Sequence, residues 1–175
     1  PAEINGETVY GLQDGAFSNK SFTEIILPGT IKYLGTGAFR NSAIEKIDIP
    51  DGAKLGVAVF RDCGQLKSVK LPSGIEYLPE ALFRGCSNLK NVLNTENVTE
   101  LGEAVFLSCT SIVTINLPSL KKMTEGGFRN CPSLKKVNIP ETAEGLIVTS
   151  LEDSKMLEKL IAGGFVFEKG TGKPV

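Results

Sequence analysis

A chain of 175 residues, 41% hydrophobic and 22% charged, is about one domain of ordinary globular composition. Nineteen basic against twenty acidic residues leave a net charge of -1, so no global field draws it to nucleic acid or anionic lipid. The absence of histidine removes Ser-His-Asp and Cys-His nucleophile pairs and every His-containing metal site; Lys-, Tyr- and carboxylate-based chemistry survives.

No apolar run approaches the roughly 20 residues that span a bilayer, so direct membrane insertion of this segment is not expected. The opening Pro-Ala-Glu-Ile has neither a charged nor an apolar leader segment, and the chain reads as a soluble piece, processed or excised. Residues 1–16 read as a partial coil or cap, with Val9 to Phe17 resembling the second half of a repeat unit.

From there one column dominates. Phe17, Phe39, Phe60, Phe83, Phe106 and Phe128 follow one another at intervals of 22, 21, 23, 23 and 22 residues. Such a period marks a stacked solenoid, because a unit this short cannot bury its own apolar face. Three residues after each Phe stand Lys20, Ser42, Cys63, Cys86, Cys109 and Cys131. Strand-like units follow, as in Val69-Lys70-Leu71-Pro72, where alternation sends Val69 and Leu71 inward and Lys70 outward, and Pro72 ends the strand. Pro72-Ser73-Gly74 and Pro50-Asp51-Gly52 read as turns. A second short extended piece, Ile75 to Leu78, leads into a segment that reads as one helical turn. Pro79 would sit at its first position, and Gly85 at a left-handed closing position shared with Asn19, Asn41, Asp62, Ser108 and Asn130. One coil departs from the pattern: Leu-Pro is replaced by Asn94-Thr95.

The repeats occupy residues 17–143, and six coils stacked at strand spacing give a rod roughly 25–30 Å long. Residues 144–175 read as a strand–helix–strand C-terminal cap, Ser150-Leu151-Glu152-Asp153 resembling a helix-opening capping box; a dimerisation or docking element is the alternative. The expected fold is thus an α/β repeat solenoid with one short parallel strand, a second extended segment and one helical turn per 21–23-residue coil.

Cys63-Gly64-Gln65-Leu66-Lys67-Ser68-Val69-Lys70-Leu71-Pro72 is a leucine-rich-repeat strand motif with Pro in place of the commoner continuation toward Asn. With the Ala-Phe-x-x-Cys segment it closely resembles the BspA-like (treponemal-type) leucine-rich repeats, over about residues 9–142. The resemblance implies a bacterial secreted or cell-surface binding module, since the better-understood members are adhesins. The first two coils lack the Cys, Asn94-Thr95 breaks the strand ending, and the turns at Ala53-Lys54-Leu55 and Ser119-Leu120 are short.

Several side-chain columns invite chemistry. Four cysteines spread one per coil cannot converge on one zinc tetrahedron, while spacing alone permits a disulfide between adjacent coils. The reading adopted is a buried column of reduced thiols, Cys63, Cys86, Cys109 and Cys131, beside a core of Phe17, Phe39, Phe60, Phe83, Phe106 and Phe128. Arg40, Arg61, Arg84 and Arg129 follow the Phe column and could bind carboxylates or sulfated glycans. Pairing of Glu80 with Arg84, and of Glu125 with Arg129, four residues apart on a helical turn, is the preferred account. Gly35-Thr36-Gly37 begins like a dinucleotide fingerprint but lacks the third glycine, and the repeat explains it. Asn19-Lys20-Ser21 and Asn97-Val98-Thr99 are glycosylation sequons, relevant only to a eukaryotic secretory route.

By the resemblance, the strand face is the recognition surface. Its candidate contact residues are Lys46, Lys67, Lys70, Lys90, Asn116, Lys135, Lys136 and Asn138, with lysines outnumbering acids six to three across that face. The expectation is a non-enzymatic, monomeric recognition or adhesion module, without cofactor or metal. Its partner would be a protein or glycan on a host or neighbouring cell, not nucleic acid. A passive spacer within a larger surface protein is the alternative.

Overall fold

The computed structural model describes residues 3–140 apart from Asn5 and Glu125. The proposed cap at 144–175 lies outside the described residues. A short antiparallel hairpin, β1 (Glu3–Ile4) with β2 (Glu7–Thr8), precedes the stack. The coils then form a solenoid with two ladders of very short parallel strands.

The strand-face ladder contains β5 (Lys46–Asp48), β7 (Ser68–Lys70), β9 (Asn91–Leu93), β11 (Thr114–Asn116) and β13 (Lys136–Asn138). The first coil joins it through a single bridge, Glu24 to Lys46. The second ladder contains β3 (Gly11–Leu12), β4 (Tyr33–Leu34), β6 (Lys54–Leu55), β8 (Tyr77–Leu78), β10 (Glu100–Leu101) and β12 (Lys122–Met123). Alternation places Ile47, Val69 and Ile115 inside while their flanking residues face outward. Turns at Pro50 and Pro72 close with Ala53 N–H to Pro50 O (3.2 Å) and Ile75 N–H to Pro72 O (3.4 Å).

Among the described residues there is no helix, which corrects the expected helical turn and the α/β assignment. The segment around each Phe is instead a run of overlapping β-turns. In the second coil Ala38, Arg40 and Ser42 donate to Gly35, Gly37 and Phe39, each three residues back. The alternate residues Gly37, Phe39 and Asn41 donate to Val57, Val59 and Arg61 of the next coil, at 2.8–2.9 Å. Left-handed residues two before and two after Phe produce this alternation: Gly37 (φ 60°) and Asn41 (φ 55°) here, Ala81 (φ 53°) and Gly85 (φ 76°) two coils later. A single isolated helical turn fixes several dihedrals for one or two hydrogen bonds. The stacked turn satisfies half its donors locally and half on the neighbouring coil. Pro79 therefore opens a β-turn, accepting from Leu82 N–H at 3.2 Å, rather than a helix. Gly35 and Gly37 also have separate structural causes: a Cβ on Gly35 would lie 2.6 Å from Asp14 N, and Gly37 needs positive φ.

The core is a column of rings. Phe39, Phe60, Phe83, Phe106 and Phe128 are buried and stack on one another with centroids 5.3–5.8 Å apart. Phe17, at the start of the stack, is half-buried; it stacks on Phe39 and meets Phe22 edge-on, both at 5.5 Å. Beside the rings run the four thiols, all free and buried. Cys63, Cys86, Cys109 and Cys131 donate to the carbonyls of Phe39, Phe60, Phe83 and Phe106 in the preceding coil, at 2.9–3.1 Å. Each of these four Phe carbonyls also accepts the N–H three residues on, so both lone pairs are used. Ser42 occupies the Cys position in the second coil, its Oγ 3.6 Å from Cys63 Sγ. Burial raises all four thiol pKa values, that of Cys131 to about 12.

Each ladder is interrupted once among the described residues, and each interruption has a local cause. On the strand face β5, β7 and β9 form one sheet and β11 with β13 another. Between them, Asn94 takes the place of an inward Leu and adopts φ 63°. Its amide turns back to Leu71 O (2.8 Å), and the buried Thr95 Oγ1 donates to Asn116 O (2.6 Å) where a strand N–H would otherwise do so. On the second ladder the break falls between β6 and β8. In the other coils Gly35, Gly56, Gly102 and Thr124 donate N–H to Leu12, Leu34, Leu78 and Leu101 of the coil before, at 2.8–3.2 Å. The corresponding residue in the fourth coil is Pro79, which has no N–H to give to Leu55.

Candidate recognition faces

The strand face is built from three outward columns held in register by the parallel ladder: Lys46, Ser68 and Asn91 are cross-strand neighbours, as are Asp48, Lys70 and Leu93. Of the candidate contact residues, Lys46, Lys67, Lys70 and Lys90 stand on the first sheet; Asn116, Lys135, Lys136 and Asn138 stand on the second. All eight are exposed. The break at Asn94 divides them into two groups.

Lys67, Asn116 and Asn138 are tied to neighbours. Lys67 Nζ meets Glu45 Oε2 at 2.6 Å, one coil back, and Asn138 Nδ2 donates to Asn116 Oδ1 at 2.6 Å. Lys46, Lys70, Lys90 and Lys136 make no ion pair among the described residues. Exposed apolar side chains interleave with them: Ile26 at 87%, Leu93 at 51% and Val113 at 45% relative exposure. Where the first coil makes only one bridge, a small cleft of about 200 Å³ opens beside Ile26, Lys46 and Asp48.

The turn face carries the arginine column. The expected Glu80–Arg84 pair is absent: without a helix, residues four apart no longer lie one above the other. Glu125, the proposed partner of Arg129, lies outside the described residues. Arg61 approaches Asp62 instead, with Nε 3.3 Å from Oδ2 but no hydrogen bond at that nitrogen. Next to it Asn41 Nδ2 donates to Asn19 Oδ1 at 2.8 Å, and Ser18, Arg40 and Asp62 complete a polar depression of about 440 Å³.

A feature of the second ladder escapes sequence reasoning. Where Pro79 interrupts β6 and β8, a cleft of about 490 Å³ opens between the third and fourth coils. Leu55, Pro72, Ile75, Tyr77 and Pro79 supply apolar walls, and Lys54 and Glu76 also line it. Tyr77 is 47% exposed. On its rim Ser73 N–H donates to Asp51 Oδ1 at 2.7 Å, and this bond holds the Asp51 carboxyl below its ordinary pKa. Elsewhere on the ladder Lys122 Nζ bonds Glu100 Oε1 at 2.7 Å, which raises the Lys122 pKa. The signal for the cleft was a proline in a column otherwise holding Gly, Gln or Thr, together with a short preceding turn.

Parallel ladders, a buried ring column and one strand motif per coil define a leucine-rich-repeat solenoid. The chain belongs to the BspA-type leucine-rich-repeat family: that family's sequence model matches six copies, across residues 3–77 and 53–164. It is similar to a leucine-rich repeat protein from Bacteroides ovatus solved by crystallography, at 35% identity and TM-score 0.69, covering 77% of this chain and 35% of that one. A leucine-rich repeat protein from Eubacterium ventriosum is similar at 25% identity and TM-score 0.73, covering 85% and 44%. The T. pallidum leucine-rich repeat protein shares the fold, at 21% identity and TM-score 0.77, with 93% and 80% covered. The chain thus spans less than half the length of the first two. No curated protein matches it.

Proposed function

We propose that this chain is a non-catalytic recognition module, displayed on or secreted from a bacterial cell, which holds an acidic protein or glycan partner against its strand face. The observation that carries the reading is the row of exposed lysines on that face, Lys46, Lys70, Lys90 and Lys136, without ion pairs among the described residues. These lysines stand in three neighbouring columns of one face, across both sheets, so an extended anionic partner lying across the coils meets several at once. Family membership supports a scaffold whose repeated contact area, rather than a convergent pocket, does the binding.

The test is a solid-phase screen of matrix glycoproteins and heparin against the chain and its Lys70→Glu/Lys90→Glu/Lys136→Glu variant. Binding to an anionic partner that falls at least tenfold in the variant, and weakens with salt, is the expected result. Equal binding by the variant refutes the face, and no binding at all leaves the chain a spacer.

A further inference from the structure

Independently of the strand face, we infer that the cleft between the third and fourth coils is a peptide-binding site. Its occupant is an extended segment carrying an acidic, an apolar and a small residue in succession. The unused edge of β6 states what it lacks. In every other junction of the second ladder the later coil delivers an N–H to the leucine carbonyl of the earlier one. At this junction neither Ala53 O nor Leu55 O accepts a backbone hydrogen bond from the fourth coil, and Pro79, at the position that would serve Leu55 O, has no N–H.

A peptide laid parallel to β6 supplies both bonds, the mode by which extended ligands add to a free strand edge. A volume of about 490 Å³ is that of an ordinary ligand cleft. The apolar walls at Leu55, Ile75 and Pro79 accept one aliphatic side chain.

The charge requirement is read from the same ladder. Lys54 occupies the column of Tyr33, Tyr77, Glu100 and Lys122. In that column Glu100 already pairs with the lysine of its neighbouring strand, Lys122, at 2.7 Å. A peptide glutamate in register with Lys54 repeats that pair. The next residue then falls in the leucine column. The one after it falls where Gly102 lies in its own coil, where a Cβ would come within 2.6 Å of Glu80 N on the preceding coil. The sequence Glu-Leu-Gly at 100–102 has this order, so an acetylated, amidated peptide copying residues 98–103 (Val-Thr-Glu-Leu-Gly-Glu) is the probe.

Binding of this peptide to the full chain is measured by calorimetry and by amide chemical shifts. Expected are saturable binding with shifts at residues 53–55 and 76–79, and at least a tenfold loss with Pro79→Gly, which restores the missing donor and closes the ladder. Because Pro79→Gly could also alter the fold, the charge swap stands beside it. Lys54→Glu weakens the native peptide at least fivefold and binds its Glu→Lys counterpart instead. The Lys70→Glu/Lys90→Glu/Lys136→Glu variant binds the peptide like the parent, which separates this site from the strand face. Absence of binding at millimolar peptide overturns the inference. So do binding indifferent to both Pro79→Gly and the charge swap, and shifts produced in the cleft by chitohexaose but not by the peptide.

Discussion

Phe83→Ala tests the ring column where it is most enclosed. Phe83 is 0% exposed and sandwiched between Phe60 at 5.8 Å and Phe106 at 5.5 Å, with interplanar angles of 9° and 22°. Loss of the buried side chain removes roughly 1.5–3 kcal/mol of transfer free energy. Two ring–ring contacts add about 0.5–1.5 kcal/mol each. The sum brackets the 3–5 kcal/mol, approximately, that buried Phe→Ala changes cost elsewhere. Phe17→Ala, at a half-buried ring with one stacked and one edge-on neighbour, should cost about half as much. Urea unfolding followed by circular dichroism gives both values. Native-state hydrogen exchange should show the loosening confined to the third to fifth coils, since each coil contacts only its neighbours. A Phe83→Ala cost below about 1 kcal/mol, the scale of surface changes, would refute a continuous ring core.

Two further predictions follow from the turns and the thiols. Ala81 sits at φ 53°, so Ala81→Gly should be neutral or stabilising by up to about 0.5 kcal/mol, because relief of the left-handed alanine offsets glycine's backbone entropy. The same change at the fully buried Ala38, outside the positive-φ set, should cost about 1 kcal/mol; equal urea midpoints for the two variants would contradict the alternating turn. Cys131, raised from 9.0 to about 12, stays protonated in the fold while the unfolded chain ionises. Its stabilising contribution is therefore complete below pH 9 and lost as pH rises toward 12, by up to about 1.4 kcal/mol per pH unit. Cys131→Ala should accordingly lose less stability between pH 8 and pH 10, and an unchanged pH slope would show that this thiol is not held protonated by burial.

The Phe and Cys columns were legible because each places one chemically distinct residue per coil, and stacking converts that period directly into contact. The left-handed positions two after each Phe were legible too, since Asn and Asp tolerate positive φ. Their meaning was misread. Pro79-Glu80-Ala81-Leu82-Phe83 has helix-forming side chains and a glycine stop, so local propensity points to a helical turn. What it hides is the second left-handed site. Gly15, Gly37 and Gly126 disclose that site in three coils, whereas Ala58, Ala81 and Ala104 mask it in the others. Alanine is the best helix former in isolation and here takes the least helical conformation, because three hydrogen bonds to the next coil outweigh one strained dihedral pair. The Lys67–Glu45 contact spans 22 residues and is visible once columns rather than neighbours are compared.

A regular solenoid uses up its own backbone: each coil satisfies the donors and acceptors of the one before, leaving only side chains to meet a partner. Departures from the repeat are therefore where backbone recognition becomes possible, and the two found here differ in kind. At Asn94-Thr95 the ladder is cut and repaired in part, since the Asn amide takes Leu71 O and the Thr hydroxyl takes Asn116 O. At Pro79 it is cut with no such substitute, and apolar walls keep the gap open as a cleft. The first departure divides the strand face into two sheets, with side chains standing in for part of the lost ladder; the second leaves Leu55 O without a backbone donor from the next coil, beside a walled cleft. A break beside a walled cleft is where a partner's own backbone can complete the ladder.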